Sequence, residues 1–520
     1  MPQKNVRRCQ TPQPSLTCPC RALSSVVEHL VYTEVAGGSN PSAPTNFSAT
    51  SKFVRAIATE IVRRLQAAGF AAFWVGGCVR DFLLQREPGD YDIATAALPE
   101  QIEQLFPRTI AVGRKFGVMI VVEGGQQFQV ATFRAEADYR DGRHPEQVTF
   151  GDAPADASRR DFTVNGLFFD PIRNQLHDWV GGEKDLRAKI IRTIGLPAER
   201  FGEDHLRLLR AVRFAAQLGF EIERETFAAI QAHAAKIKTI SAERVRDELI
   251  KLFEPLRGSE GVLSLSPLVP RGEREKNPPP PGLRAALGLD LLHDSGLLEH
   301  ILPELAATIH CEQSPDYHPE GSVFNHLRLM LQQLPVDADP LLPWAVLMHD
   351  IAKPLTASRD EKTGGIHFYE HEKIGADLAE KIMERLRFPN KQIEAVAAVV
   401  RHHMQFKDAL KMRKSTLRRL LLRETFPLEL ALHRLDCLGS HRRLDVYDFL
   451  AGQARELAQQ PEILPPLLTG NDLIALGVKP GPELGKLLAE IRELQLSDEL
   501  KTPDEARAWA RARLCIHPGG

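Results

Sequence analysis

Asp90 and Asp92 stand two apart in Pro88-Gly89-Asp90-Tyr91-Asp92-Ile93, downstream of an apolar run from Phe73 to Val75 and the pair Gly76-Gly77. Residues two apart in an extended strand share a face, so the carboxylates project together while Tyr91 and Ile93 turn into a core. Two carboxylates fixed on a rigid element bind hard divalent cations. Paired Mg²⁺ ions held in this way clamp the attacking and leaving oxygens of a phosphoryl or nucleotidyl transfer. Gly76 and Gly77 allow close backbone approach, the helix expected after them presents outward N–H groups, and Arg80 adds a charge, all of which suit a triphosphate. Alone, the two acids read as a solvated strand end and the glycines as an ordinary turn; their order and spacing set them apart.

Two more basic features follow. Arg159-Arg160 enter what reads as an apolar helix, and beside a triphosphate such a pair neutralises phosphate. Asp204, Arg207, Arg210 and Arg213 recur at threes along one helix face, opposite Leu206, Leu209 and Val212. Farther on, Asn325-His326, His349-Asp350, Glu370-His371, Arg401-His402-His403 and Leu435-Asp436 lie on apolar helical segments. A lone histidine on such a face is usually structural. A series of imidazoles and carboxylates converging from successive helices instead forms a divalent-metal site suited to phosphate-ester hydrolysis.

The elements that must carry these residues are legible in outline. Phe53, Ile57, Ile61, Leu65 and Ala68 recur at helical spacing before Gly69. Ile110–Val112, Val118–Val122 and Phe128–Thr132 read as strands separated by glycine turns, a small sheet joined to the strand of Asp90 and Asp92. Phe133 to Gly151 is polar and punctuated by Gly and Pro, a mobile loop beside the site. From Glu221 onward the pattern is helical, apart from a Pro-, Gly- and charge-rich stretch between Arg257 and Gly282 that cannot bury a core. Helix starts are expected near Thr469-Gly470-Asn471-Asp472 and an amphipathic segment from Leu484 to Leu496.

A chain of 520 residues needs more than one core. Its formal net charge of -2 gives no global nucleic-acid signature, so any RNA-binding surface must be local. The Lys- and Arg-rich run from Arg401 to Arg443 is a candidate, although such runs are most often solvated faces. Seven cysteines without regular spacing argue for a reducing cytoplasm, and no apolar run reaches spanning length. Cys18-Pro19-Cys20 lacks a second metal half-site.

The motifs GGxxRDxLL…DxD, RRDFTxN and EDxxRxLRAxRFAAxLGF, in this order and spacing, resemble the class II tRNA nucleotidyltransferase (CCA-adding) and bacterial poly(A) polymerase family over residues 53 to 250. The resemblance implies an α+β fold: a polymerase-beta-like head with a small mixed sheet, then an all-helical body. It implies that Asp90 and Asp92 carry the catalytic Mg²⁺, and that Gly77, Arg80, Arg160, Arg210 and Arg213 contact phosphates and nucleotide. Asp204 and Arg207 match the protein template for the incoming base. Cytosine and adenine present an amino donor beside a ring-nitrogen acceptor, whereas uracil and guanine invert that edge, so one Asp-Arg pair accepts C and A. Polymerase-like sites often add a third acid on the neighbouring strand. Here that strand reads Phe128-Gln129-Val130, so either two carboxylates suffice or the strands align otherwise.

The histidine series resembles the HD phosphohydrolase domain attached to some members of this family. His326, His349, Asp350 and Asp436 match its metal positions, for a divalent transition metal, with His371 and His402 as weaker candidates. The implied activity is template-independent addition of C and A to the tRNA 3′ end from CTP and ATP. Within the family, poly(A) polymerase and CC-only or A-only enzymes are alternatives. From another class, an HD phosphohydrolase with an RNA-binding head is the alternative, and a metal-free HD scaffold is a further one.

The expected organisation is a disordered or spurious extension (1–50), a nucleotidyltransferase head (51–175), a helical neck with the base-selecting helix (176–256) and a disordered insertion (257–282). A helical HD domain (283–450) and a helical tail (451–520) complete it. Ser24-Ser25-Val26-Val27-Glu28 and Gly38-Ser39-Asn40-Pro41 back-translate to sequences resembling the D-arm and T-arm of a tRNA gene. The N-terminus is therefore expected to be an over-extended translation through such a gene.

Overall fold

The computed structural model describes residues 49–135, 149–253, 280–314, 318–361, 365–459 and 465–516. The N-terminal extension, most of the loop after Phe133 and nearly all of the insertion between 257 and 282 lie outside these residues. The chain forms two compact units that divide at Leu186/Arg187.

In the first unit, α1 (Ala49–Ala67) precedes β1 (Ala72–Val75), α2 (Gly77–Leu83), β2 (Ile93–Thr95) and α3 (Pro99–Leu105). β3 (Thr109–Gly113), β4 (Val118–Glu123), β5 (Gln126–Thr132), α4 (Ala153–Ser158), β6 (Phe168–Asp170) and β7 (Gln175–His177) follow. The strands form one mixed sheet in the order β3-β4-β5-β2-β1-β6-β7. β1 pairs antiparallel with β2 (Trp74 opposite Ile93) and with β6, and β2 pairs parallel with β5 (Ile93 opposite Val130). The expected strands are therefore present, and of the two possibilities left open for Phe128-Gln129-Val130 the pairing of Ile93 with Val130 puts this segment on the strand next to Asp92, with no acid on it.

The head core is aromatic. Trp74 packs on Tyr91 with ring centroids 4.9 Å apart, and Phe82 lies 5.1 Å from Phe169. Each such buried ring contributes about 1.5–3 kcal/mol. Because Tyr91 and Ile93 are buried here, the intervening Asp92 is directed out of the core. Asp90 and Asp92 precede β2 rather than lying within it, on an extended approach held where Val75 N donates to Asp92 O at 3.0 Å.

The second unit is mostly helical. Helix Leu206–Leu218 packs on Ala242–Phe253 and Pro281–Asp294. Trp344 lies between Phe253 and Phe388, at centroid distances of 6.0 and 4.7 Å, and ties these helices to the histidine-bearing bundle. That bundle comprises Val323–Gln332, Leu342–His349, His371–Arg385, Asn390–His402 and Phe426–Gly439. The expected helix start at Thr469 is a capping box: Thr469 N donates to Asp472 Oδ2 at 2.8 Å, and Asp472 N donates back to Thr469 Oγ1. Part of the basic run is engaged in ion pairs within the body. Arg418 binds Asp498 and Leu496 O, Arg423 binds Glu429, Arg401 binds Asp377, and Arg419 pairs with Glu493. No described helix is long and apolar enough to cross a membrane.

Candidate active site

A cleft of about 250 Å³ opens at the end of β1 and β2, lined by Val75, Asp92, Gln129, Arg134, Arg159 and Arg160 among others. Gly76 has φ 76°, a left-handed conformation that favours glycine, and a Cβ there would stand 2.9 Å from Arg160 Nη1, so a larger residue would also displace that guanidinium. Arg80 is buried on the following helix. It donates to Asp81 Oδ1 at 2.8 Å and to Asn165 Oδ1 at 2.8 Å. Asn165 in turn donates to Asp161 Oδ1 at 3.1 Å, which explains the Asp and Asn of the RRDFTxN motif as the clamp that joins α2 to the turn after the arginines.

Arg159 and Arg160 do not enter a helix, as their sequence suggested; Arg159 caps the C-terminal end of the short helix α4. Both arginines converge on Asp156, which is 1% exposed. Arg159 Nε lies 2.8 Å from Asp156 Oδ1, Arg160 Nη2 lies 3.0 Å from Oδ2, and Arg134 N donates to Oδ1 at 3.1 Å. Sequence reasoning missed Asp156, although its position three and four residues before the arginines was the available signal. Arg160 also lies over Phe168, 5.0 Å from the ring centroid.

The donor set fits a hard divalent ion: the Asp92 carboxylate lines the cleft together with Arg159 and Arg160, and Asp90 stands close enough to act on its charge. Gln129, on the neighbouring strand, occupies the place where a third acid was considered. Burial, reinforced by the Asp90 charge and opposed by Arg160, pushes the Asp92 carboxyl up to about 6. The sign follows directly: a raised carboxylate pKa means that ionising Asp92 costs folding stability as pH rises toward 6, and a bound cation offsets that cost. Below that pH a cation must displace a proton, so divalent-ion affinity of the head should fall by up to about tenfold per pH unit. Calorimetry in buffers of different ionisation enthalpy should detect the released proton; affinity independent of pH would remove Asp92 as a ligand.

In the second unit, Asp204 lies just before helix Leu206–Leu218, accepting from Leu206 N at 3.0 Å and from Arg244 Nη2 at 2.8 Å. Arg207 donates to Glu203 Oε2 at 2.5 Å and to Arg200 O at 2.9 Å. Arg210 and Arg213 both reach the buried Glu248, at 3.4 and 2.5 Å.

The histidine series does converge. His326, His349 and Asp436 offer ligand atoms to one point, and so do Asp350, His371 and His403. His326 Nε2 lies 3.1 Å from Asp436 Oδ1, and its Nδ1 is 2.7 Å from Glu320. His403 takes the place considered for His402, whose Nδ1 instead contacts Glu429 at 3.2 Å. Burial pushes His403 down to about 3, keeping the imidazole neutral.

Residues 72–192 match the family profile described as the Poly A polymerase head domain, 219–266 match a probable RNA and SrmB-binding site of polymerase A, and 318–437 match the HD domain. A CCA-adding enzyme of Geobacillus sp. (strain WCH70) is 46% identical over 213 residues, covering 41% of this chain and 52% of that protein. One of Staphylococcus saprophyticus is 45% identical over 196 residues, covering 38% and 49%. The chain spans about half the length of the curated relatives it matches. Among solved structures, the Bacillus stearothermophilus CCA-adding enzyme in complex with CTP aligns over 88% of this chain and 97% of that one, with a TM-score of 0.63 and 26% identity.

Proposed function

We propose that this chain, which belongs to the family of poly A polymerase heads and CCA-adding enzymes and carries an HD domain, adds C and A residues to the 3′ end of tRNA from CTP and ATP. The carrying observation is the cleft in which Asp92 faces arginines held by a buried aspartate, on a head that matches CCA-adding enzymes at close to half identity. Enzymes of this type use divalent ions, and the carboxylates of Asp90 and Asp92 fit Mg²⁺. Bound there, the ion supplies charge stabilisation and a more acidic attacking hydroxyl. The chain's own residues do the rest. Arg160 and Arg80 face the triphosphate, and Gly77 opens the helix end to it. The tRNA 3′ oxygen then bonds to the α-phosphorus as the bond to the β-phosphate bridging oxygen breaks, and pyrophosphate leaves.

Asp204 and Arg207 select the base by its donor-acceptor edge, and Glu203 holds Arg207 until a base replaces it. The family motif assigns nucleotide contacts to Arg210 and Arg213 as well, and in the helical unit both pair with Glu248. Incubating tRNAs that end before the CCA, after the first C and after the second C with single nucleotides tests this reading. C is expected on the first two and A on the third. Absence of incorporation on all three would end the transferase reading, and long A tracts without C would move it to poly(A) polymerase. Arg207→Ala should raise UTP and GTP misincorporation by about 10- to 100-fold while leaving metal affinity unchanged, since a lost bidentate contact is worth about 1–3 kcal/mol. Unchanged selectivity would exclude Arg207 from the template.

A further inference from the structure

The register of the head sheet lays a row of side chains across the face that carries Asp92. Trp74 opposes Ile93, so Val75 opposes Asp92, and Val75 N donates to Asp92 O at 3.0 Å. Val75 also opposes Phe168 on β6, and Phe168 opposes His177 on β7, the last strand of the sheet. Residues directly opposite each other in a sheet share a face, so Asp92, Val75, Phe168 and His177 project the same way. Neighbouring strands lie about 4.8 Å apart, which puts His177 roughly 14 Å from Asp92 along this row.

The far end of the row is aromatic and open to solvent. His177 and Trp179 stack with ring centroids 5.5 Å apart and planes 17° from parallel, and Trp179 meets the Phe168 ring edge to face at 5.4 Å. Trp179 is 41% exposed, whereas Trp74 and Trp344 are 0% and 2% exposed. One exposed tryptophan on its own is ordinary surface. Here it ends a row that starts at Asp92, and Arg160, which lines the cleft, lies over Phe168 between the two. An open π-face with a guanidinium beside it suits an unpaired nucleotide: the base stacks on the ring and the cation attracts the phosphate.

We propose that Trp179, backed by His177 and Phe168, is a stacking platform for an unpaired base near the 3′ end of the RNA primer, and that it steers the terminal hydroxyl toward Asp92. The inference rests on the transferase reading of the cleft and names how that site holds its second substrate. A triphosphate is fixed by its charge and by the edge of its base. An RNA end that is extended without a template is unpaired, and it offers mainly π-faces and phosphates. Stacking tolerates any base, as a primer whose last residue changes from one addition to the next demands. Trp179 is therefore a binding residue for the primer and takes no part in choosing the incoming nucleotide.

Binding and chemistry are read separately. A tRNA ending after the second C, titrated into the full chain without nucleotide, should quench tryptophan fluorescence, and Trp179→Phe should remove that part of the quenching while keeping a ring to stack on. In steady-state incorporation, Trp179→Leu keeps an apolar side chain against Phe168 but has no π-face. Its KM for the tRNA should rise by about tenfold, the order of one lost base stack. Trp179→Phe should restore most of that affinity, and KM for CTP and ATP should stay the same in both variants, as should the melting temperature. Absence of quenching, or quenching that persists in full in Trp179→Phe, would overturn the proposal. An unchanged tRNA KM in Trp179→Leu would overturn it too, as would a rise confined to CTP and ATP, which would place the incoming base on this ring. If the unaltered chain incorporated nothing, the transferase reading would fall, and the quenching would still decide whether RNA stacks on Trp179.

Discussion

Asp92→Ala is expected to lower nucleotide incorporation by more than about 10³-fold, because the charge stabilisation by a bound divalent ion that it removes is worth several kcal/mol. Folding should survive. Asp92 is partly buried beside Asp90, and burial with that neighbour already pushes its carboxyl up to about 6, so the side chain is a net cost to the metal-free fold at neutral pH. The melting temperature of the metal-free variant should equal or exceed that of the unaltered chain. Single-turnover extension of a tRNA ending before the CCA, with a calorimetric melt of the same preparation, measures both effects. An active variant would show that the carboxylates were wrongly assigned, whereas an inactive variant with a collapsed melt would point to a structural role.

Asp156→Ala should act in the opposite way, on stability first. Its carboxylate is 1% exposed and receives two side-chain guanidinium groups and a backbone N–H. Removing it leaves Arg159 and Arg160, 26% and 21% exposed at the side chain, without their shared counter-charge. A cost of about 2–4 kcal/mol follows, toward the lower end because both arginines retain some solvent. Released from Asp156, Arg160 loses its fixed aim into the cleft, so KM for CTP and ATP should rise by about tenfold, with a smaller change in kcat.

The pH dependence carries a definite sign. Burial pushes the Asp156 carboxyl up, but Arg160 and Arg159 outweigh it and leave the group below the ordinary carboxylate range. Its contribution to stability is therefore present above that range and is lost only as pH falls through the lowered value. Denaturant melts of the two proteins should differ at neutral pH and converge in strong acid. Equal stability at neutral pH would show that the arginines find adequate partners without Asp156.

Much of the head was legible because local rules dominate there. The alternation around Tyr91 and Ile93 placed Asp92 outward, whereas the alignment of the neighbouring strand, left open by the sequence, is fixed by the pairing of Ile93 with Val130. Arg159 and Arg160 were misread because an apolar run after a basic pair resembles a helix start. In the structure, Phe162 and Val164 are buried, Thr163–Asn165 form a single 3-10 turn beside the Asn165–Asp161 hydrogen bond, and no α-helix forms there. The choice between His402 and His403 was beyond sequence for a simpler reason. One residue turns a helix by about 100°, and the helix gives way to a 3-10 turn at this point.

The sequence by itself determined the chemistry available: two acids at strand spacing, arginines near them, a charged helix and a series of histidines. Residue type and short-range periodicity suffice for that. Only the tertiary structure decided which partner each charge takes. It placed Arg159 and Arg160 on Asp156, Arg207 on Glu203, Arg210 and Arg213 on Glu248, and Asp350 between two histidine clusters. Ion pairs and metal ligands depend on distances of a few ångströms between elements remote in sequence, and those distances exist only once the cores beneath them have packed.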